Sequence, residues 1–385
     1  MKAADVSAAR INMVLRHKKS GRVYKTILNQ QGYSWMQVRN GKLVVNARQY
    51  RNGQPYGPIR LIDPEQYVED ILPAEAMRIE SLRRKILDLF FENRFELVIP
   101  PLLEYMDSLL TGTGHDLDVR TFKVVDQYSG RTMGVRADIT PQVARIDAHL
   151  LNRKGVTRLC YSGSVLHTRP ASPGATREPI QIGAEIFGEA GVEADLQIQK
   201  LLCDALELAG QGGKLGGLRL DIGHVAVFRS IVHAEKVNGE TEAALFEALQ
   251  KKDVPGLKSL AKKLRPATRD ALLLLPELYG GEEVLDTAEK NLPKIGELQK
   301  ALKTLRALAK ACPVPVSFDL AELRGYHYHS GVVFDAYCEG VGGAASFPVA
   351  RGGRYDEVGK AFGRSRPATG FSIDLRSLSS LKKKK

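Results

Sequence analysis

Ile180-Gln181-Ile182-Gly183-Ala184-Glu185-Ile186-Phe187 is an eight-residue run in which two polar side chains, Gln181 and Glu185, stand four apart among small and apolar neighbours. Successive residues of an extended chain point to opposite faces, so this even spacing puts both on one face of a strand. A half-polar strand in the middle of a domain either turns that face to solvent or lines a polar site. Working outward, Thr157 to Ser162 reads as a strand before it, and Val332 to Tyr337 and Phe347 to Ala350 as strands after it. Shorter strands are predicted at Phe122 to Val125, at Thr132 to Arg136, and at Phe95 to Ile99, where Pro100-Pro101 stops the run. Helices separate them. Ala74 to Asn93 places Ile79, Leu82, Ile86, Leu89 and Phe90 on one helical face, Pro141 to Leu151 is a shorter helix, and 193–209 and 241–311 are rich in Leu, Ala and Lys. Hairpins with intervening helices, rather than regular βαβ repeats, predict an α+β fold built on an antiparallel sheet.

A chain of 385 residues has room for two or three domains. With 43% apolar and 26% charged residues, collagen-like, low-complexity and wholly disordered readings are excluded. No apolar run approaches the roughly eighteen residues of a membrane span. Cys160, Cys203, Cys312 and Cys338 lie far apart in sequence without CxxC or Cys/His spacing, so buried reduced thiols are expected, with no disulfide framework and no metal site. The N-terminus lacks the apolar core of a secretory signal, and a cytoplasmic location is expected.

The net charge of +12 is not spread evenly. Residues 1–62 hold twelve Lys or Arg against one acid, Asp5, a charge of +11; the run Lys382 to Lys385 adds four, and the body between is left at −3. A mildly acidic body with two basic ends is not built around phosphate backbones. The same break marks a domain boundary. Residues 1–62 read as a basic, β-rich N-terminal extension: a short helix at Ser7 to Leu15, then strands at Val23 to Leu28, Tyr33 to Val38 and Leu43 to Tyr50, with Asn40-Gly41 and Asn52-Gly53 as hairpin signals. Its Trp35 either stacks on single-stranded nucleic acid or sits in a small hairpin core, or the whole stretch is an appendage. Beyond it, 63–190 with 313–381 form the core, 191–312 a mainly helical insertion, and 382–385 a lysine tail.

Three clusters could carry chemistry. Asp138 and Thr140, in Val135-Arg136-Ala137-Asp138-Ile139-Thr140-Pro141, share a side if that backbone is extended; Gln181 and Glu185 share a strand face; Arg351-Gly352-Gly353-Arg354-Tyr355-Asp356 reads as a glycine turn flanked by guanidinium groups. Arg324-Gly325-Tyr326-His327-Tyr328-His329 adds an Arg, two phenols and two imidazoles, and the imidazoles have no third metal ligand near them in sequence. Together these groups meet what a free amino acid requires: anions for its ammonium, a guanidinium for its carboxylate, polar groups for its side chain.

In this order, Asp70 to Pro73, Phe95 to Glu104, Val135 to Thr140, Tyr161 to Gly188, Arg324 to Phe334, Arg351 to Asp356 and Gly370-Phe371-Ser372-Ile373-Asp374-Leu375 resemble the class II histidyl-tRNA synthetase core over about 63–380. The resemblance implies a class II aminoacyl-tRNA synthetase-like fold, a six-stranded antiparallel sheet flanked by helices, a dimer built on the first motif around Pro101, and a histidine pocket. In that pocket Asp138, where synthetases carry a Glu, would hold the ammonium with Thr140 and Gln181. Glu185 would face the imidazole, Arg324 would approach the carboxylate, and Tyr328 would belong to the histidine-specific loop, whose usual Asp and second Tyr are here His327 and His329.

Two departures bear on activity. Where the second synthetase motif has an Arg for the ATP α-phosphate, Val165-Leu166-His167-Thr168 offers Leu166; where the third has an Arg for the γ-phosphate, the chain has Ser377, with Arg376 one position away. An anticodon-binding domain is also missing, since nine residues follow Arg376. This set of losses is similar to the regulatory subunits of short-form ATP phosphoribosyltransferases. That resemblance implies no catalytic residue, no cofactor, a short catalytic partner subunit in a hetero-octamer, and histidine as a feedback effector, without tRNA or membrane. The alternative is a divergent or truncated histidyl-tRNA synthetase; a second is an RNA-binding module in which 1–62 recruits nucleic acid to an inert synthetase-like body.

Overall fold

The computed structural model describes the backbone of five strands between 12 and 62, and then residues 68, 70–111, 115–170, 175–210, 217–323, 325–326, 328–338 and 347–381. It divides into two units, Met1–Ala74 with Leu166–Glu178, and Glu75–Val165 with Pro179–Lys385.

In the first unit, β1 (Asn12–Arg16), β2 (Val23–Asn29), β3 (Gly32–Arg39), β4 (Lys42–Arg51) and β5 (Gln54–Ile62) form an antiparallel meander in chain order. The helix expected at Ser7 to Leu15 is corrected over its described part: from Asn12 the chain pairs with β2, Asn12 opposite Ile27 and Leu15 opposite Tyr24. Ladder bonds to a neighbouring strand prevail there over a short helical period. Trp35 lies on β3, opposite Thr26 and Asn46.

The second unit is organised by a nine-stranded sheet. Its strands are β6 (Glu96–Leu97), β10 (Thr157–Ser164), β11 (Ile180–Phe187), β12 (Arg219–His224), β13 (Tyr279–Gly280), β14 (Val316–Asp319), β15 (Val332–Cys338), β16 (Phe347–Arg354) and β17 (Ala368–Asp374), in the order β13-β14-β12-β15-β16-β17-β11-β10-β6. The six strands from β12 to β10 are antiparallel throughout, as the sequence leads one to expect. The sheet is nevertheless wider than six, because β6 joins β10 and β14 joins β12 in parallel, with β13 beyond. A separate three-stranded sheet, β7 (Leu103–Tyr105), β9 (Thr132–Val135) and β8 (Phe122–Val125), stands beside it in sequence.

Two elements differ from their sequence reading. The strand expected from Phe95 to Ile99 contracts to β6, since Pro100-Pro101 has no N–H to extend the ladder. The helix expected at Pro141 to Leu151 is α-helical over Thr140–Arg145 and widens to a π-helix over Ile146–Leu151, where buried Asp147 meets Arg366 at 3.3 Å. A strand also appears inside the region read as mainly helical: Arg219-Leu220-Asp221-Ile222 alternates polar and apolar residues, and β12 buries Leu220 and Ile222. The helix Pro73–Glu92 buries Ile79, Leu82, Ile86, Leu87 and Phe90. Phe90 meets Phe371 of β17 edge-on at 5.9 Å, a geometry that suits the ring quadrupole. Cys203 and Cys312, 109 positions apart in the sequence, come together with their thiols hydrogen-bonded; Cys312 is lowered to about 7 chiefly by accepting that bond. Among the described residues, no helix is long and apolar enough to cross a membrane.

Candidate functional site

The site is built across three adjacent strands. On β11, Gln181, Gly183 and Glu185 share a face; β10 sets Tyr161 opposite Gly183, and β17 sets Gly370 opposite Glu185. Both glycines are spacers. A Cβ at Gly183 would lie 2.4 Å from the Tyr161 hydroxyl, and one at Gly370 would lie 1.6 Å from Glu185 Oε2. With hydrogens there instead, Tyr161 lies over β11 and its hydroxyl donates to Glu185 Oε1 at 3.1 Å.

The fourth wall is the N-terminus of the helix Thr140–Arg145. Asp138 precedes it without being extended: Thr140 N–H donates to Asp138 Oδ1 at 3.1 Å, so the residues share a side through a turn and not through a strand. Gln181 clasps that turn from β11, its Nε2 donating to Asp138 Oδ1 at 2.9 Å while its Oε1 accepts from Ile139 N–H at 2.9 Å. Thr140 Oγ1 lies 3.0 Å from the Tyr161 hydroxyl and donates to Glu185 Oε1 at 3.2 Å; Tyr355 donates to Glu185 Oε2 at 2.5 Å. Four of the sequence-derived residues therefore form one connected network.

Tyr328 completes the wall. Its ring lies 5.2 Å from that of Tyr355, and its hydroxyl is buried without a hydrogen-bond partner among the described residues. Burial, with the negative fields of Asp138 and Glu185, holds its phenol well above the ordinary value. An orphaned buried hydroxyl costs about 1–3 kcal/mol unless something fills it, so a phenol left in this position beside two carboxyls marks a place for a polar ligand. Arg324, the expected carboxylate partner, and His327 lie outside the described residues. His329 does not line the network: its Nδ1 lies 3.2 Å from the carbonyl of Arg354, and burial lowers it to about 4.

The Arg351 to Asp356 segment is corrected. It is not a glycine turn presenting guanidinium groups but the end of β16, continued by Tyr355. Arg354 turns away into a buried pair with Asp195 at 3.0 Å and donates to the carbonyls of Glu189 and Gly191, while Arg351 faces Asp335 at 3.6 Å. The reason is the register: β15 and β17 pair with both sides of Gly352 and Gly353, which leaves no turn to form.

Burial raises Glu185 from an ordinary value near 4.5 to about 8, against the opposing effect of its three hydroxyl donors. The unfolded chain releases this proton near pH 4.5 and the folded chain near pH 8. The stability contributed by the protonated acid is therefore complete below pH 4.5 and is lost as the pH rises toward 8. Each unit of displacement is worth about 1.4 kcal/mol. Glu185→Gln, neutral at every pH, is expected to gain in thermal midpoint relative to the parent chain between pH 5 and pH 8. Parallel midpoint curves across that window would show that Glu185 is already ionised in the folded state.

A family model described as Histidyl-tRNA synthetase matches residues 67–378. The chain is 58% identical over 325 residues to the ATP phosphoribosyltransferase regulatory subunit of Ralstonia pickettii, covering 84% of this chain and 82% of the relative. Its identity to the protein of the same name from Paraburkholderia phymatum is 59% over 312 residues, 81% of this chain and 79% of the relative. The chain belongs to the ATP phosphoribosyltransferase regulatory subunit family. A solved structure from Bacillus halodurans, titled as an ATP phosphoribosyltransferase regulatory subunit/histidyl-tRNA synthetase, superposes with a TM-score of 0.72 at 26% identity over 82% of each chain. The synthetase-like fold of this regulatory-subunit chain is thereby established.

Two residues of the site escaped the sequence reading of this family member. Tyr161 and Tyr355 stood inside segments quoted for the resemblance, but neither was given a role. Tyr161 was findable only through its register opposite Gly183, which depends on how the chain returns between Ser164 and Ile180. At the end of β17, Asp374 caps the helix Leu375–Ser379: it accepts from Arg376 N–H at 3.0 Å and from the Ser377 hydroxyl at 2.5 Å.

Proposed function

We propose that this chain is the non-catalytic regulatory subunit of a short-form ATP phosphoribosyltransferase, the first enzyme of histidine biosynthesis, and that free histidine bound in the site described above is its feedback effector. The observation that carries the reading is the unfilled Tyr328 hydroxyl beside the Asp138–Gln181–Thr140–Glu185 network. Asp138, with Gln181 and Thr140, suits an ammonium group; Glu185 suits an imidazole; Arg324 is proposed for the carboxylate. Glu185, held near pH 8 in the free protein, gives up its proton most readily when a cation arrives beside it, so histidine uptake near neutrality would release protons.

Against catalysis stands the absence of guanidinium groups where activation of an amino acid with ATP needs them, at Leu166 and Ser377. Phosphate chemistry rests on positioned cations, and losing one such clamp costs about two to three orders of magnitude in rate. Ser377 is instead engaged with Asp374. The name carried by the relatives supports a catalytic ATP phosphoribosyltransferase partner, and we propose a hetero-octamer with it. Self-association through the segment around Pro101 is supported by the outward-turned Ile99, Leu102 and Val125. A cytoplasmic location follows from the same reading.

The test is calorimetric titration of histidine into the purified chain, alone and with the short catalytic subunit, with ATP as control. Histidine is expected to bind and ATP not to. ATP binding followed by aminoacyl-adenylate formation would overturn the regulatory reading in favour of a divergent synthetase.

A further inference from the structure

The turn that carries Tyr328 is fastened from the opposite side. Backbone bonds from Tyr326 to Leu323, and from Tyr328 and His329 to Gly325, close the turn tightly, with Gly325 at φ +67°. Tyr328 extends into the site and Tyr326 extends away from it, into the helices. The Tyr326 hydroxyl donates to Glu242 Oε1 at 2.7 Å, on the helix Gly239–Gln250. Its ring lies 5.5 Å from Phe228 and 5.2 Å from Phe246. Arg229, on the helix Ala226–Glu235, stacks its guanidinium over the same ring at 4.8 Å and donates Nη2 to the carbonyls of Tyr326 and His329, each at 3.1 Å. Arg229 thus holds the backbone carbonyls on either side of Tyr328, while the helix Gly239–Gln250 holds the Tyr326 side chain through Glu242 and Phe246.

We infer that Tyr326, Arg229 and Glu242 are positioning residues for the histidine site, and that they couple its occupancy to the helix Gly239–Gln250. The inference rests on the reading of that site as a histidine site. Tyr328 and His329 both bond to the carbonyl of Gly325, and Arg229 bonds the carbonyls of Tyr326 and His329 while stacking on the Tyr326 ring. A displacement of one phenol is therefore transmitted to the other through these shared bonds. Coupling is reciprocal: if the grip on Tyr326 tightens when Tyr328 gains a ligand, loosening the grip weakens the ligand by the same factor. A partner that seats on Gly239–Gln250 would alter histidine affinity by this route.

The experiment uses the full chain, with histidine affinity measured by calorimetry, thermal midpoint without ligand, and amide hydrogen exchange over 239–250 with and without histidine. Tyr326→Phe, which keeps the ring and its stacking, and Glu242→Ala are each expected to weaken histidine about tenfold. The double variant is expected to be no weaker than either single one, because both remove the same bond. Glu242→Gln retains an acceptor and is expected to bind within about threefold of the parent. Histidine is expected to slow exchange over 239–250 in the parent chain and not in Tyr326→Phe. Variants with lowered thermal midpoints but parental affinity, losses that multiply in the double variant, or an exchange pattern indifferent to histidine would each overturn the inference. If the parent chain binds histidine and the variants bind equally, only this inference falls; if the parent does not bind histidine, the functional reading falls with it.

Discussion

Arg354→Met is expected to destabilise the second unit by about 3–5 kcal/mol, the range for removing one partner of a buried ion pair. The guanidinium is nearly enclosed: Nη2 lies 3.0 Å from Asp195 Oδ1, Nε donates to both oxygens of that carboxylate at 3.2 and 3.1 Å, and Nη1 and Nη2 donate to the carbonyls of Glu189 and Gly191. Asp356 adds a second acid at 3.2 Å. Methionine fills much of the same space but leaves Asp195, buried on the helix Val192–Glu207, without its cation. Burial already pushes Asp195 up against the pull of Arg354, and without the guanidinium it would rise further. The damage should consequently be smaller at pH 5, where the orphaned acid can take a proton, than at pH 8. Adding Asp195→Asn should recover part of the loss, since the two substitutions remove one interaction. Urea and thermal unfolding of the single and double variants at the two pH values are the measurements. A loss below about 1 kcal/mol for Arg354→Met would mean that water reaches and solvates Asp195.

Asp138→Ala is expected to weaken histidine about a hundredfold, which is roughly 2.7 kcal/mol, while leaving assembly with the catalytic subunit intact. Three effects combine. The substitution deletes the charge proposed to meet the ammonium, and charge-assisted bonds are worth about 1.5–3 kcal/mol. It releases Gln181, whose Nε2 loses its 2.9 Å acceptor, and it frees the turn before Thr140, whose N–H loses its own. Asp138→Asn keeps an acceptor for both donors and loses only the charge, so it should fall between the two. The readouts are calorimetric affinity of the isolated chain and the histidine inhibition curve of the complex. An inhibition curve that Asp138→Ala leaves unmoved would place the effector elsewhere, and an assembly that fails would show that Asp138 has a structural role.

Much of the core was legible in the residues. The alternation of Ile180–Phe187, the helical period from Ile79 to Phe90, and the hairpins on either side were enough for an antiparallel α+β sheet, because each depends only on spacing along the chain. The shared face of Gln181 and Glu185 was readable for the same reason. What that face meets was not. By composition it could equally have faced water, and only the packing of the Thr140–Arg145 helix and of Tyr161 and Tyr355 turns it into a hydrogen-bonded network that buries Glu185 and leaves Gln181 half-buried.

Arg354 shows the limit from the other side. Beside Gly352 and Gly353 its guanidinium looked available to a ligand carboxylate, yet its partner, Asp195, is 159 positions away in the chain. Likewise β12 was hidden in a segment read as mainly helical, and β14 declares itself only by pairing in parallel with β12. Local spacing determined which residues could share a strand or helix face, and the order of motifs pointed to a synthetase-like chain. The tertiary structure alone decided which polar groups are satisfied and which, like the Tyr328 hydroxyl, have no partner among the described residues. Hydrogen bonding and burial are settled between elements far apart in sequence, and no period along the chain records them.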